Sequence, residues 1–140
     1  MSDRLIFPAA LLDVGGVPAV EPQSLVVYVR DFPAGGALPP VQGTPVKLRR
    51  EPHPANSNRE FTYWHMVTDG PDDDHRTPDL SRLVRIPWAR PLLDHHTHAS
   101  VKRWWNTRAG RRHFCLWHPP INYVLVIKER YEGLFLVTTY

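Results

Sequence analysis

The sequence predicts an α+β fold, with short helices packed on a mostly antiparallel, meander-type C-terminal sheet. Four β-rich stretches follow one another after residue 100, separated only by short turns, and turns that short join antiparallel neighbours. Helix-like segments precede these stretches instead of alternating with them, which is the order of an α+β chain. With 140 residues, 42% hydrophobic and 22% charged, the chain suits a single domain, 1–140, built on one core.

Residues 1–60 read as an irregular lobe with short strands, wrapped on the core formed by 61–140. Arg4–Leu12 is a strand or a helical turn that closes at Gly15-Gly16. Ser24–Phe32, SLVVYVRDF, is rich in valine and tyrosine and bounded by Pro22 and Pro33, and so reads as a strand. Prolines then recur as far as Pro54. They leave Val46–Arg50 as a short strand, at an edge because proline is barred from central positions.

Phe61–Thr68, FTYWHMVT, has the aromatic and β-branched density of a strand. Alternation would put Phe61, Tyr63, His65 and Val67 on one face, with Tyr63 beside His65. An acidic turn, DGPDDDH, follows. Thr77 is then expected as an N-cap and Pro78 as the first residue of a short helix that Pro87 ends. On that helix Arg82 and Arg85 lie three apart and share a face. Ala89–Ala99 opens with a second helical segment and closes in the turn bearing His95, His96 and His98. The strands expected after it are Val101–Asn106, Arg112–His118, Asn122–Arg130 and Leu134–Tyr140, the last two separated by a turn at Tyr131–Gly133.

Several function classes are excluded at this stage. No apolar run approaches the roughly 20 residues of a membrane span, and Pro8 and Asp13 break up the start as a signal peptide. Cys115 stands alone, so no disulfide framework exists and a reducing cytoplasm is expected. Consecutive histidines on one turn rarely converge on one ion, so the His95–His98 segment is not read as a metal site.

Net charge is +3, and its distribution is uneven. Residues 1–60 balance six basic against six acidic side chains, whereas Arg82–Arg112 holds eight basic side chains against Asp94 alone. Such a block suits phosphate. The consecutive Trp104 and Trp105 must point to opposite faces of a strand. One belongs to the core and the other, interleaved with Lys102 and Arg103, is half exposed and able to stack a base. The expected nucleic-acid contacts are Lys102, Arg103, Trp105, Arg111 and Arg112.

The words FTYWHMVTDG, RTPDLSRLVRIPWARPLL, VKRWW, RRHFCLW, NYVLVIKER and LFLVTTY, in this order over residues 61–140, resemble a bacterial and phage-associated ribonuclease-like domain group. That group belongs to the barnase–EndoU–colicin–RelE superfamily. Its pattern, as matched here, is a Trp-His pair, an Arg-Thr-Pro-Asp-Leu helix start, an Arg-Ile-Pro-Trp segment, a Val-Lys-x-Trp strand and a Thr-x-Tyr. This chain departs from it between the helix arginines, where Leu83 and Val84 replace a cysteine and a glutamate.

The resemblance implies a metal-independent endoribonuclease that needs no cofactor, acts on RNA, and is open to control by a cognate inhibitor protein. RNA supplies its own nucleophile in the 2′-hydroxyl, so the enzyme needs a proton acceptor, a proton donor and anchors for the phosphorane. His65 is the expected acid or base, because an imidazole titrates near neutrality. Arg82 and Arg85 are expected to clamp the phosphate through their planar donors. Thr138 and Tyr140, two apart on one strand, are expected to hydrogen-bond substrate. The alternatives are a nucleic-acid-binding module without catalysis, or an accessory protein-interaction domain of a mobile element.

Overall fold

The computed structural model describes residues 4–130 and 133–140. Most of the expected turn at Tyr131–Gly133 falls outside them. The architecture is α+β, as predicted. Helix α1 spans Gly16–Asp31, α2 Phe61–Val67, α3 Leu80–Arg85 and α4 Ala89–Asp94, with single 3₁₀ turns at Ile86–Trp88 and Pro119–Ile121. The strands are β1 Val46–Lys47, β2 Pro52–His53, β3 Asn56–Glu60, β4 Thr68–Asp69, β5 Thr77–Pro78, β6 Lys102–Arg108, β7 Arg111–His118, β8 Tyr123–Arg130 and β9 Gly133–Thr139. Among the described residues, five of them form the main sheet in the order β1-β9-β8-β7-β6.

Strands β6 to β9 are the expected antiparallel meander, and β1 joins its edge in parallel with β9. The turn between β6 and β7 places Ala109 and Gly110 at φ 53° and 74°. That left-handed pair matches the twist of a two-residue hairpin. Asn122, at φ 49°, performs the same office before β8.

Register divides the sheet into two chemically different faces. The inner face carries Trp105, Phe114, Leu116, Leu125, Ile127, Leu134 and Leu136, which pack with Val20, Val27, Tyr28, Phe32, Met66, Leu83 and Leu92 from the helical layer in one core. Cys115 and Val126 pair across β7 and β8 on the outer face. Both are buried, yet they lie outside that core cluster, as alternation demands.

Two segments expected as strands are helices. Within the predicted strand Ser24–Phe32, α1 runs to Asp31 and buries Val20, Ser24, Val27 and Tyr28. These positions, four, three and one apart, form one helical stripe. Phe61–Val67 is also helical, and it buries Tyr63, Met66 and Val67 on one side. Phe61 and His65, four apart, share the other side, so Tyr63 does not flank His65 as a strand would require. A seven-residue helix of β-formers is weak alone, and here its unpaired ends are satisfied from outside. The Phe61 and Thr62 amides donate to the Glu51 and Arg49 carbonyls. Arg76 donates to the His65 and Thr68 carbonyls, Arg82 to the Thr68 carbonyl, and the Thr138 and Thr139 hydroxyls to those of His65 and Met66.

The capping of α3 is displaced by two residues. Asp79 is the N-cap, accepting from the Ser81 and Arg82 amides, while Thr77 and Pro78 pair with β4. Arg4–Leu12 is neither strand nor helical turn. It lies extended along the helical layer, with the Leu11 amide on the Val84 carbonyl and the Trp88 indole on the Pro8 carbonyl, both at 2.8 Å. The edge position of Val46–Lys47 is as expected, shortened from Val46–Arg50.

Candidate functional site

Helix α2 lies along the edge of β9 beyond the point where β1 stops, with the Thr62 hydroxyl 3.5 Å from the Leu136 carbonyl oxygen. This placement turns the Phe61 and His65 side toward the outer face of the sheet. Lys128, Arg130 and Phe135 project from that face, since Lys128 pairs with Phe135 and Arg130 with Gly133. Together with Arg49 and Asp73 they line a pocket of about 230 Å³. Three cations thus meet one histidine and one carboxylate.

The His65 side chain is 18% exposed, so the ring is neither sealed in the core nor fully solvated. Its Nε2 is 3.7 Å from Asp73 Oδ1, while Nδ1 is buried without a hydrogen-bond partner among the described residues. Burial, with the Arg76 charge next in weight, pushes the imidazole down to about 4, and Asp73 offsets only part of this. At neutral pH the ring is therefore neutral. Phe61 stacks at 6.1 Å from His65 and tilts at 4.7 Å from His53, and the Arg49 guanidinium lies 3.6 Å above the Phe61 ring. Lys128 is also lowered, first by burial and then by Arg130, Arg111 and Arg49, which makes its ammonium a readier proton donor.

The turn carrying Asp73 is held by its own side chains. Asp72 accepts from the His75 ring at 2.7 Å and from the Asp74 amide at 3.0 Å. Gly70 must be glycine, because a Cβ there would drive into the His75 carbonyl.

The expected phosphate clamp is not in this pocket. Arg82 donates to the Thr68 carbonyl, lies 3.6 Å from Asp69 and 3.9 Å from Asp79, and covers the Tyr140 ring at 5.7 Å. It stabilises the C-terminal end of α2, where a cation complements the helix dipole. Arg85 stands 6.0 Å from the Trp88 ring and faces the buried Tyr123, in the helical layer. Thr138 spends its hydroxyl on the His65 carbonyl at 3.2 Å, a positioning contact that leaves the ring free. Tyr140 is half exposed and pairs with Val124.

The expected nucleic-acid contacts split by face. Lys102 and Arg111 are on the outer face, each opposite an outer-face partner, Trp117 and Arg108. Arg103, Trp105 and Arg112 are on the inner side. Arg103 donates to the His96, His98 and Val101 carbonyls. Trp105 tilts on Phe114 at 4.9 Å, and Arg112 covers Trp105 at 4.0 Å and lies 3.5 Å from Glu129. Of the two consecutive tryptophans, Trp105 packs toward the core and Trp104 is the one that reaches solvent, at 42% exposure.

Arg49, Asp73, Lys128 and Arg130 were missed by sequence reasoning, because they come from three places far apart in the chain. One signal was available. Lys128 and Arg130, two apart on a recognised strand, had to share a face. His113, opposite Lys128 on the same row, adds a second imidazole whose Nδ1 is buried.

Among the described residues no group of three histidine, cysteine or acidic side chains could hold a metal ion. None of their helices is long and apolar enough to cross a membrane. No family model, no curated protein and no solved structure matches the chain.

Proposed function

We propose that this protein is a metal-independent endoribonuclease of the kind its sequence resembles, with the His65 pocket as its active site. The observation that carries the reading is the meeting of a partly exposed, neutral imidazole with Arg49, Lys128 and Arg130 in one small pocket. Asp73 lines the pocket with them, and Glu51 pairs with Arg49 at 3.0 Å. A phosphodiester suits that balance, and the developing dianionic phosphorane suits it better.

In the proposed reaction His65 Nε2 accepts the proton of the 2′-hydroxyl. The freed oxygen attacks phosphorus, the bond from phosphorus to the 5′-oxygen breaks, and Lys128 supplies a proton to that leaving oxygen. The products are a 2′,3′-cyclic phosphate and a 5′-hydroxyl end. Asp73 then faces an imidazolium and stabilises it. A base near 4 is weak, and a bound phosphate anion raises it toward the range where proton transfer is efficient. Arg49 and Arg130 take the anchoring role expected of Arg82 and Arg85. A reducing cytoplasm suits the buried free thiol of Cys115, and an inhibitor protein would act by covering this face.

A second reading is favoured by the burial of His65 Nδ1. If the imidazole is chiefly a packing group, the same cations bind nucleic acid without cutting it. Incubation of an unstructured RNA with the protein in chelator separates the two. Shortened RNA with cyclic phosphate ends supports the nuclease. Intact RNA with salt-sensitive binding supports the binding module.

A further inference from the structure

The outer face of the meander extends well beyond the pocket. Passing along the strands from the row of His113 and Lys128, the next outer-face row holds Trp104, Cys115, Val126 and Thr138, and the one after it holds Lys102 and Trp117. In the other direction lie Arg108 and Arg111, paired with each other. Helix α2 meets them at the β9 edge, where Thr138 donates to the His65 carbonyl, and the buried Cys115 and Val126 give them an apolar floor. Trp104 stands beside that floor with 42% of its surface in water, whereas its sequence neighbour Trp105 is occupied by Phe114 and Arg112. On the outer face of β6 this exposed indole lies between Lys102 and Arg108.

We propose that this face is a track for single-stranded nucleic acid, in which Trp104 stacks a base and Arg108 and Arg111 hold backbone phosphates. It deepens the nuclease reading by naming the substrate as single-stranded, and it rests on a phosphodiester occupying the His65 pocket. Geometry supports the pairing. Successive outer-face rows are about 6.7 Å apart along a strand, so a base on Trp104 lies one row from the Lys128 phosphate position and about two strand spacings across the sheet. A duplex keeps its bases paired and inside the helix, away from any ring on a flat face. An unpaired strand can offer a base to the indole and its phosphates to the arginines.

The test uses an oligomer of ten deoxythymidines, which has no 2′-hydroxyl and so cannot be cut by the proposed chemistry. Binding to the full chain is followed by anisotropy of a labelled probe. Trp104→Ala should weaken binding about tenfold with an unchanged salt dependence, Trp104→Phe should stay near wild type, and a duplex of equal length should bind less tightly. A melting curve for each variant controls for folding. Binding of Trp104→Ala equal to wild type, or a duplex bound as tightly as the single strand, overturns the track. The two readings fail separately. Uncut RNA with Trp104-dependent oligomer binding keeps the track and removes the nuclease, whereas normal cleavage with Trp104-independent binding removes the track alone.

Discussion

Arg111 and Arg112 are adjacent in sequence and should behave as opposites. Arg111 is paired with Arg108 on the outer face, and its charge is felt by Lys128. Arg112 lies against Trp105 at 4.0 Å and Glu129 at 3.5 Å on the inner side. For a single strand held on the outer face, Arg111→Ala removes one phosphate contact and lowers the slope of log K against log salt by about 0.7. Between 50 and 200 mM salt, that lost contact changes the affinity ratio of wild type to variant by about 2.6-fold. Arg112→Ala should leave both affinity and slope unchanged. It instead loses a cation–π contact and a half-exposed ion pair, together worth about 1 kcal/mol, or a melting temperature about 4 °C lower. Anisotropy titrations of a labelled oligomer across salt, with thermal melts of both variants, read all four quantities. An Arg112→Ala slope that falls as far as that of Arg111→Ala would refute the division of the sheet into two faces.

Three further outcomes follow from the packing. Since burial holds His65 near 4 in the folded chain against about 6.5 when unfolded, the unfolded state binds the extra proton between those values. Stability should therefore fall by up to about 3 kcal/mol as pH drops from 6.5 to 4, and His65→Gln should flatten that limb in denaturant titrations. Glu21 accepts from the Tyr63 hydroxyl at 2.6 Å and is ion-paired with Arg59, so Glu21→Ala should cost about 2–4 kcal/mol in chemical denaturation. Gly70→Ala forces the backbone of the Asp73 turn away from the His75 carbonyl. It should destabilise the chain by about 2 kcal/mol or more and reduce any cleavage, measured together by melts and RNA assay.

The meander was legible because its turns and its alternation agree. The Ala109-Gly110 pair and Pro119-Pro120 punctuate runs of β-branched and aromatic side chains. The two misread helices share those side chains, and composition alone cannot separate a strand from a buried helix in so short a run. In α1 the decisive signal was the Val20, Ser24, Val27, Tyr28 stripe, which the alternating VVYV obscured. In α2 it was tertiary: without Arg76, Arg82, Thr138 and Thr139 at its C-terminal end, FTYWHMV has little reason to be helical. His65 was legible as a candidate because its residue type is chemically distinctive. Its partners were not, since Arg49, Asp73 and Lys128 meet only through the pairing of β8 with β9 and the docking of α2 on the sheet edge. Arg82 and Arg85 looked like a clamp on a helical face, but one caps α2 and the other rests near Trp88.

The most direct test is the fate of a short, defined RNA such as uridylyl-adenosine in chelator, followed by phosphorus NMR with wild type and His65→Ala. A pocket that works as described gives a 2′,3′-cyclic phosphate with wild type. The rate falls at least about 100-fold in His65→Ala, while the variant keeps its near-ultraviolet circular dichroism. Equal rates for the two proteins, or an intact dinucleotide with wild type, would contradict it.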